Sequence, residues 1–290
     1  MVRVKKAMDG LFQQPASLTI APLFGRLKVP FAIRIVLFLF TFTLLRAHAQ
    51  EEVYVNIDAR PGVTQAFMLT KPEQPAATVV LFTGGGGVLD LSPAGYGSGS
   101  GNFLVRSRQL FAAQNMMVAV VDLASDFKKQ GKEPPGSVRL SDEHAQDVNA
   151  VIAYLRKQAS VPVWLVGTSR GTISVANAAA SLKDNPPDGI VLTSSVTSGR
   201  NETVYDVDLK RIRMPVLLVH NERDGCKASP YNGMAGIEKK LVNATKLKTL
   251  TFRSDTSQVP DPCQAKTTHG FLGIEEQVVK EIAAWIKNPS

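Results

Sequence analysis

The chain is poor in metal-binding residues. Its 290 residues include two cysteines, Cys226 and Cys263, and four histidines, none spaced as CxxC or HExxH. Those spacings place two ligands on one metal ion, so a zinc mechanism is not expected and no metal or other cofactor is called for. A membrane span is not expected either. The uncharged apolar run Ile35–Leu45 is well short of the roughly 20 residues a spanning helix needs. Nor is there a large excess of one charge where a folded domain would lie. The formal charge is +8, but the first 49 residues hold seven Lys/Arg and one Asp, leaving 26 basic against 24 acidic side chains for the rest. That balance gives no reason to expect a nucleic-acid partner. Finally, residues 50–290 contain no internal repeat and no linker long enough to divide them. They read as one domain.

What is present begins with an export pattern. Arg26, Lys28 and Arg34 precede the apolar run, and Ala47-His48-Ala49 follows it as the small-x-small site that a signal peptidase accepts. Residues 1–49 are therefore expected to be a signal peptide with an unusually long lead, leaving Gln50 first in a secreted or periplasmic protein. The competing reading is a retained N-terminal anchor. Two cysteines in an oxidising compartment are expected to be bonded rather than free.

After residue 50, strand and helix patterns alternate. Val53–Ile57 and Thr64–Leu69 read as a hairpin across Arg60-Pro61-Gly62. Ala77–Phe82, Met117–Leu123, Pro162–Val166, Gly189–Thr193 and Pro215–His220 are short and predominantly apolar, and the apolarity of Met117–Leu123 in particular suits a strand buried on both faces. Leu247–Phe252 is a further strand. Ser141 caps a helix whose apolar positions Ala145, Val148, Val151, Ile152 and Leu155 keep the helical period. Further helices are expected near 172–182, 236–242 and 274–286. The alternation predicts an α/β fold with a mostly parallel central sheet covered by helices on both faces. Gly95–Gly101, with four glycines in seven residues, is expected to be an irregular loop.

The chemistry centres on Gly167-Thr168-Ser169-Arg170-Gly171. G-x-S-x-G alone is a modest signal, but here a buried strand ends just before it and a small-residue helix begins just after. A serine on so tight a strand-to-helix turn needs neighbours without bulk two residues away on each side, and Gly167 and Gly171 fill those positions. The four glycines Gly84–Gly87 do not make a phosphate cradle: no third glycine stands at G-x-G-x-x-G spacing and no G-K-[ST] follows.

With that motif, His220-Asn-Glu-Arg-Asp-Gly225 and His269-Gly270-Phe271, the sequence resembles the α/β-hydrolase superfamily. Within it, the likeness is to the small dienelactone-hydrolase-like and esterase-like members, over essentially all of residues 50–290. The resemblance implies a chain order of nucleophile, acid, histidine, each at the C-terminal end of its strand. Ser169 would be the nucleophile. Asp224, beside Gly225, is favoured as the acid over its rival Glu222. His269 is the only histidine late enough for the base, since His48 leaves with the signal, His144 precedes the serine as a surface or packing residue, and His220 precedes the acid. The oxyanion hole would use the backbone N–H of Arg170 and one from Gly84 or Gly85. The esterase pattern has His before these glycines, and here Thr83 stands there, which leaves the second donor open. The Arg170 side chain would attract a substrate carboxylate or merely cap carbonyls, the second being the simpler role.

The implied activity is cleavage of a carboxylic ester in a small-molecule substrate through an acyl-enzyme. The alternatives are a peptidase, thioesterase or acyltransferase using the same residues, or a non-catalytic binding protein on the same scaffold. Little or no lid is expected, because few residues separate the strands at 190–193 and 215–220. If the loops of Asp224 and His269 meet, Cys226 and Cys263 flank the meeting point and should form a disulfide.

Overall fold

The computed structural model describes residues 51–128, 136–199 and 202–290. The expected signal segment and the cleavage point before Gln50 lie outside the described residues. Among the described residues there are ten strands: β1 (Glu52–Arg60), β2 (Val63–Thr70), β3 (Ala77–Phe82), β4 (Leu91–Ser92), β5 (Gly95–Tyr96), β6 (Met116–Val121), β7 (Val163–Thr168), β8 (Gly189–Thr193), β9 (Val216–Asn221) and β10 (Leu247–Phe252). The helices are α1 (Phe103–Arg106), α2 (Arg108–Ala113), α3 (Ser125–Lys128), α4 (Asp142–Gln158), α5 (Gly171–Ser181), α6 (Gly233–Lys240) and α7 (Glu275–Lys287). Eight strands form the main sheet in the order β1-β2-β6-β3-β7-β8-β9-β10. Pairing is antiparallel for β1 with β2 and for β2 with β6, and parallel from β6 onward.

The apolar strands are buried at every position, and alternate residues feed two separate cores. Val80, Phe82, Leu165, Leu192 and Leu218 pack on one face with Val148 and Ile152 of α4, Ile173 of α5 and Ile237 of α6. Val79, Leu81, Val166, Val191 and Val219 pack on the other with Phe103 of α1, Phe111 of α2 and Ile282 of α7. Each fully buried Leu, Val or Phe contributes roughly 1.5–3 kcal/mol over its exposed state, so neither face could remain uncovered. Trp285 of α7 meets Trp164 of β7 edge-on, with ring centroids 5.3 Å apart. Ser141 caps α4 by accepting from the His144 N–H.

One local expectation needs revision. The glycine patch is not wholly irregular, because Gly95 and Tyr96 pair with Ser92 and Leu91 as a two-residue ribbon. Glycine at φ +105 makes this tight reversal possible at Gly95. Next to it, α1 and α2 are too short to show a helical period in the sequence.

His144 is a packing residue in the first turn of α4. It is buried with both ring nitrogens unpartnered among the described residues, edge-on to Phe82 at 6.3 Å between ring centres. Burial first, then the charges of Arg139 and Arg60, lowers its pKa from 6.5 to about 3. Below pH 6.5 the unfolded chain therefore takes up a proton that the folded chain refuses. The stability conferred by keeping this ring neutral is complete above pH 6.5 and drains away as pH falls towards 3, reaching about 2 kcal/mol of loss at pH 5. Urea midpoints measured from pH 7 to pH 4 are expected to fall steeply for the natural protein and less so for His144→Leu. Parallel curves for the two proteins would remove His144 as the cause.

Candidate active site

Ser169 stands between the end of β7 and the start of α5 with φ +52, a left-handed conformation costly for any residue with a side chain. The surroundings impose it. A Cβ on Gly167 would lie 2.5 Å from the Gly171 carbonyl oxygen, and one on Gly171 would overlap the Phe82 carbonyl oxygen. The Ser169 N–H donates to the Thr193 carbonyl at 3.0 Å, while its own carbonyl accepts from the Thr172 N–H and hydroxyl at 3.0 and 2.6 Å. The turn is tied to β8 on one side and to α5 on the other, which leaves the hydroxyl facing the cavity.

Asp224 and His269 come from loops after β9 and β10, and the structure brings them together. Asp224 Oδ2 is 2.8 Å from His269 Nδ1. Its Oδ1 accepts from the Cys226 N–H at 2.9 Å, and His220 Nε2 lies 3.3 Å from Oδ2. Burial pushes this carboxyl up, but the hydrogen bonds from His220 and His269 win and hold it down at about 2. Glu222, the rival acid, instead pairs with Arg253 at 2.9 Å. His220 was not among the expected site residues. It also touches the Ser229 carbonyl through Nε2 at 3.0 Å, so it is a second brace on the Asp224 carboxylate beside His269.

The histidine loop is held from three directions. Ser194 donates to the His269 carbonyl at 2.8 Å, Asn221 Nδ2 to the Thr268 carbonyl at 3.3 Å, and Arg106 to the Gly101, Ala265 and Gly270 carbonyls. Phe271, at φ +57, packs below on Phe103, 4.9 Å between centroids. Cys226 and Cys263 are bonded, with Cα atoms 4.5 Å apart, and join the acid loop to the segment that leads to His269. Closing that span restricts the unfolded chain by about 4 kcal/mol on the entropy model. His269 is buried, and its Nε2 has no partner among the described residues.

The glycine loop after β3 completes the site. A Cβ on Gly84 would stand 2.9 Å from Ser169 Cβ and 3.5 Å from its Oγ, so this backbone flanks the hydroxyl directly. The N–H groups of Gly84, Gly85 and Arg170 donate to no protein acceptor among the described residues. Asp122, at the end of β6, fixes the far end of the loop by accepting from the N–H groups of Leu89 and Leu91 at 2.8 and 3.0 Å. The Arg170 side chain approaches Glu202 only to 3.9 Å.

Two hollows meet at Ser169. One, of about 360 Å³, includes His269, Gly84, Phe103 and Gln264 in its wall; the other, of about 230 Å³, includes Arg170, Val196 and Glu202. A larger cavity of about 700 Å³, lined by Lys183, Lys210, Arg211 and Arg213, opens at the opposite edge of the sheet, beside the C-terminal end of α5. No serine, threonine, cysteine or histidine is among its described lining residues. The stretch between β8 and β9 holds, among its described residues, only two single turns of 3-10 helix, Val204–Asp206 and Leu209–Arg211.

A parallel sheet in this strand order, with serine, carboxylate and histidine converging at one edge, decides the fold. It is the α/β-hydrolase fold. The dienelactone hydrolase of Anabaena variabilis matches it with a TM-score of 0.56 at 14% identity, over 82% of this chain and 98% of its own. An α/β serine hydrolase without a lid from Xanthomonas campestris matches at 0.54 and 15%, over 80% and 95%. An esterase from Pyrococcus furiosus matches at 0.58 and 12%, over 82% and 92%. No protein-family model matches the sequence, and comparison with curated proteins finds no significant match. The α/β-hydrolase fold explains why the candidate residues, scattered over a hundred positions, share one edge: each follows a parallel strand at its C-terminal end. Among the described residues no helix is long and apolar enough to cross a membrane.

Proposed function

We propose that the chain is a serine hydrolase that cleaves carboxylic esters through an acyl-enzyme on Ser169. One observation carries this most: Nδ1 of His269 is tied to a buried carboxylate, while Nε2, in the wall of the cavity shared with Ser169, has no partner among the described residues. An imidazole so arranged has its proton on Nδ1 and a lone pair on Nε2, the state required of a general base. Ser169 Oγ attacks the acyl carbon as its proton passes to His269 Nε2, and Asp224 stabilises the resulting imidazolium. The developing oxyanion is received by the free N–H groups of Arg170 and Gly84. His269 then protonates the leaving alcohol, and water, activated by the same nitrogen, releases the acid. The two hollows flanking Ser169 suit the acyl and alcohol halves of a small ester. The solved neighbours named as esterases and hydrolases support the same chemistry.

A fluorophosphonate probe tests the reading. It should label the purified protein at Ser169 and abolish release of acid from short nitrophenyl esters. A folded protein that does not label would be a binding protein on a hydrolase scaffold.

Export belongs to the same proposal. The bonded cysteines and the pattern at 26–49 support it, and N-terminal sequencing of the exported protein should read from Gln50. A chain retaining Ile35–Leu45 in the membrane fraction would make the segment an anchor.

A further inference from the structure

Arg139 is the most unusual side chain near the site. It lies in a 3-10 turn, Gly136–Leu140, just before α4 and is 4% exposed. Among the described residues no carboxylate pairs with it. Instead, Nη2 donates to the Thr83 carbonyl at 3.1 Å and to the Gly85 carbonyl at 3.1 Å, and Nη1 donates to Ser174 Oγ on α5 at 2.7 Å. Gly87, at φ +80, leaves room for it: a Cβ there would stand 2.6 Å from Nη2. Burying an arginine is costly, and here its hydrogen bonds to two loop carbonyls and a hydroxyl offset that cost.

What it grips is the loop that flanks Ser169. In a trans peptide the C=O and the following N–H point in opposite directions. Holding the Thr83 carbonyl on the Arg139 side therefore turns the Gly84 N–H the other way, and Gly84 is the residue whose backbone abuts Ser169. Holding the Gly85 carbonyl does the same for the next N–H but one. A run of four glycines has little conformational preference of its own, so an external clamp is needed to keep donors aimed before substrate arrives. The other end of the clamp is Ser174, one turn into α5, the helix that Arg170, with its N–H donating to no acceptor among the described residues, immediately precedes. One guanidinium thus ties both expected donors to a common frame.

We propose that Arg139 is the positioning residue of the oxyanion hole, orienting the Gly84 N–H through the Thr83 and Gly85 carbonyls and biasing the site towards an anion. The inference rests on the reading of Ser169 as nucleophile. As a positioning residue it should leave ground-state binding nearly untouched and act where negative charge develops. Burial, and then Arg170, lowers its pKa to about 9, which leaves it charged at neutral pH.

The test uses Arg139→Met, Arg139→Lys and Ser174→Ala in the full exported chain, each checked for folding by circular dichroism and melting temperature. Kinetics on a nitrophenyl ester are compared with inhibition by a phenylboronic acid, which forms a tetrahedral anion on serine. For Arg139→Met, kcat and boronate affinity should fall together by about ten- to a hundredfold, with KM changed less than about threefold; losing a direct oxyanion donor costs more. Arg139→Lys should recover part of both. Ser174→Ala, a smaller change, should lower kcat by severalfold at constant KM, and it decides the matter if the Arg139 variants do not fold. Unchanged kcat in a folded variant, or a loss confined to KM, would overturn the proposal. Fluorophosphonate labelling of the natural protein separates the two levels: if Ser169 is not labelled, the reading of the site fails, whatever Arg139 does.

Discussion

Ser169→Ala is expected to lower ester turnover by at least about a thousandfold while leaving the protein folded. The size follows from the role. Without Oγ there is no acyl-enzyme, and what remains is the weak assistance of the free N–H donors to direct attack by water. Folding should survive because the serine's structural bonds are made by its backbone, to the Thr193 carbonyl and from Thr172. Alanine also keeps the left-handed strain at φ +52, so the melting temperature should barely move. The measurement is kcat for a short nitrophenyl ester together with a thermal melt. A folded variant retaining most of its activity would mean that another group is the nucleophile.

Asp224→Asn is expected to be of similar severity, on the order of a thousandfold to ten-thousandfold in kcat. The carboxylate accepts from His269 Nδ1 and thereby keeps the lone pair on Nε2. An asparagine can turn its amide NH2 towards Nδ1, which favours the opposite tautomer and stabilises no imidazolium. It also weakens the contact with His220, so the acid loop loses a brace at the same time. Glu222→Gln should cost less than about threefold, since that carboxylate reaches only the exposed Arg253, and surface pairs contribute little. Steady-state kinetics of the two variants side by side checks the assignment. If Glu222→Gln proved the damaging one, the acid would have been misassigned.

Much of this architecture was legible in the residue pattern. Strands such as Ala77–Phe82 and Gly189–Thr193 are mostly apolar because both faces are covered and every position is buried, and their limits in the structure coincide with the runs read from the sequence. The cap at Ser141 and the glycines around Ser169 were equally plain, since each reports a local steric or hydrogen-bonding need. The short helices α1 and α2 were hidden, because four to six residues cannot display a period. Arg139 and His220 were hidden for another reason. The partners of Arg139 are carbonyls and a hydroxyl that only the tertiary fold brings near, and nothing in residues 136–140 distinguishes a buried clamp from a solvated arginine. Those of His220 are close in the chain, at Asp224 and Ser229, but a histidine near the end of a strand carries no mark of which way its ring turns. Asp224 could be separated from Glu222 only by its neighbouring glycine and a family likeness, whereas in the fold their surroundings differ entirely.

The short connection between β8 and β9 has a kinetic meaning. Hydrolases that act at oil–water boundaries commonly carry a helical flap there, and their rates jump when substrate aggregates and the flap swings aside. Here the described residues between those strands form two single turns packed through Val204 and Leu209, with Ile212 beside them, against the core. Nothing in them is poised to swing. The rate should follow a simple saturation curve through the solubility limit of the ester, with detergent micelles and emulsions acting only as reservoirs that withhold substrate.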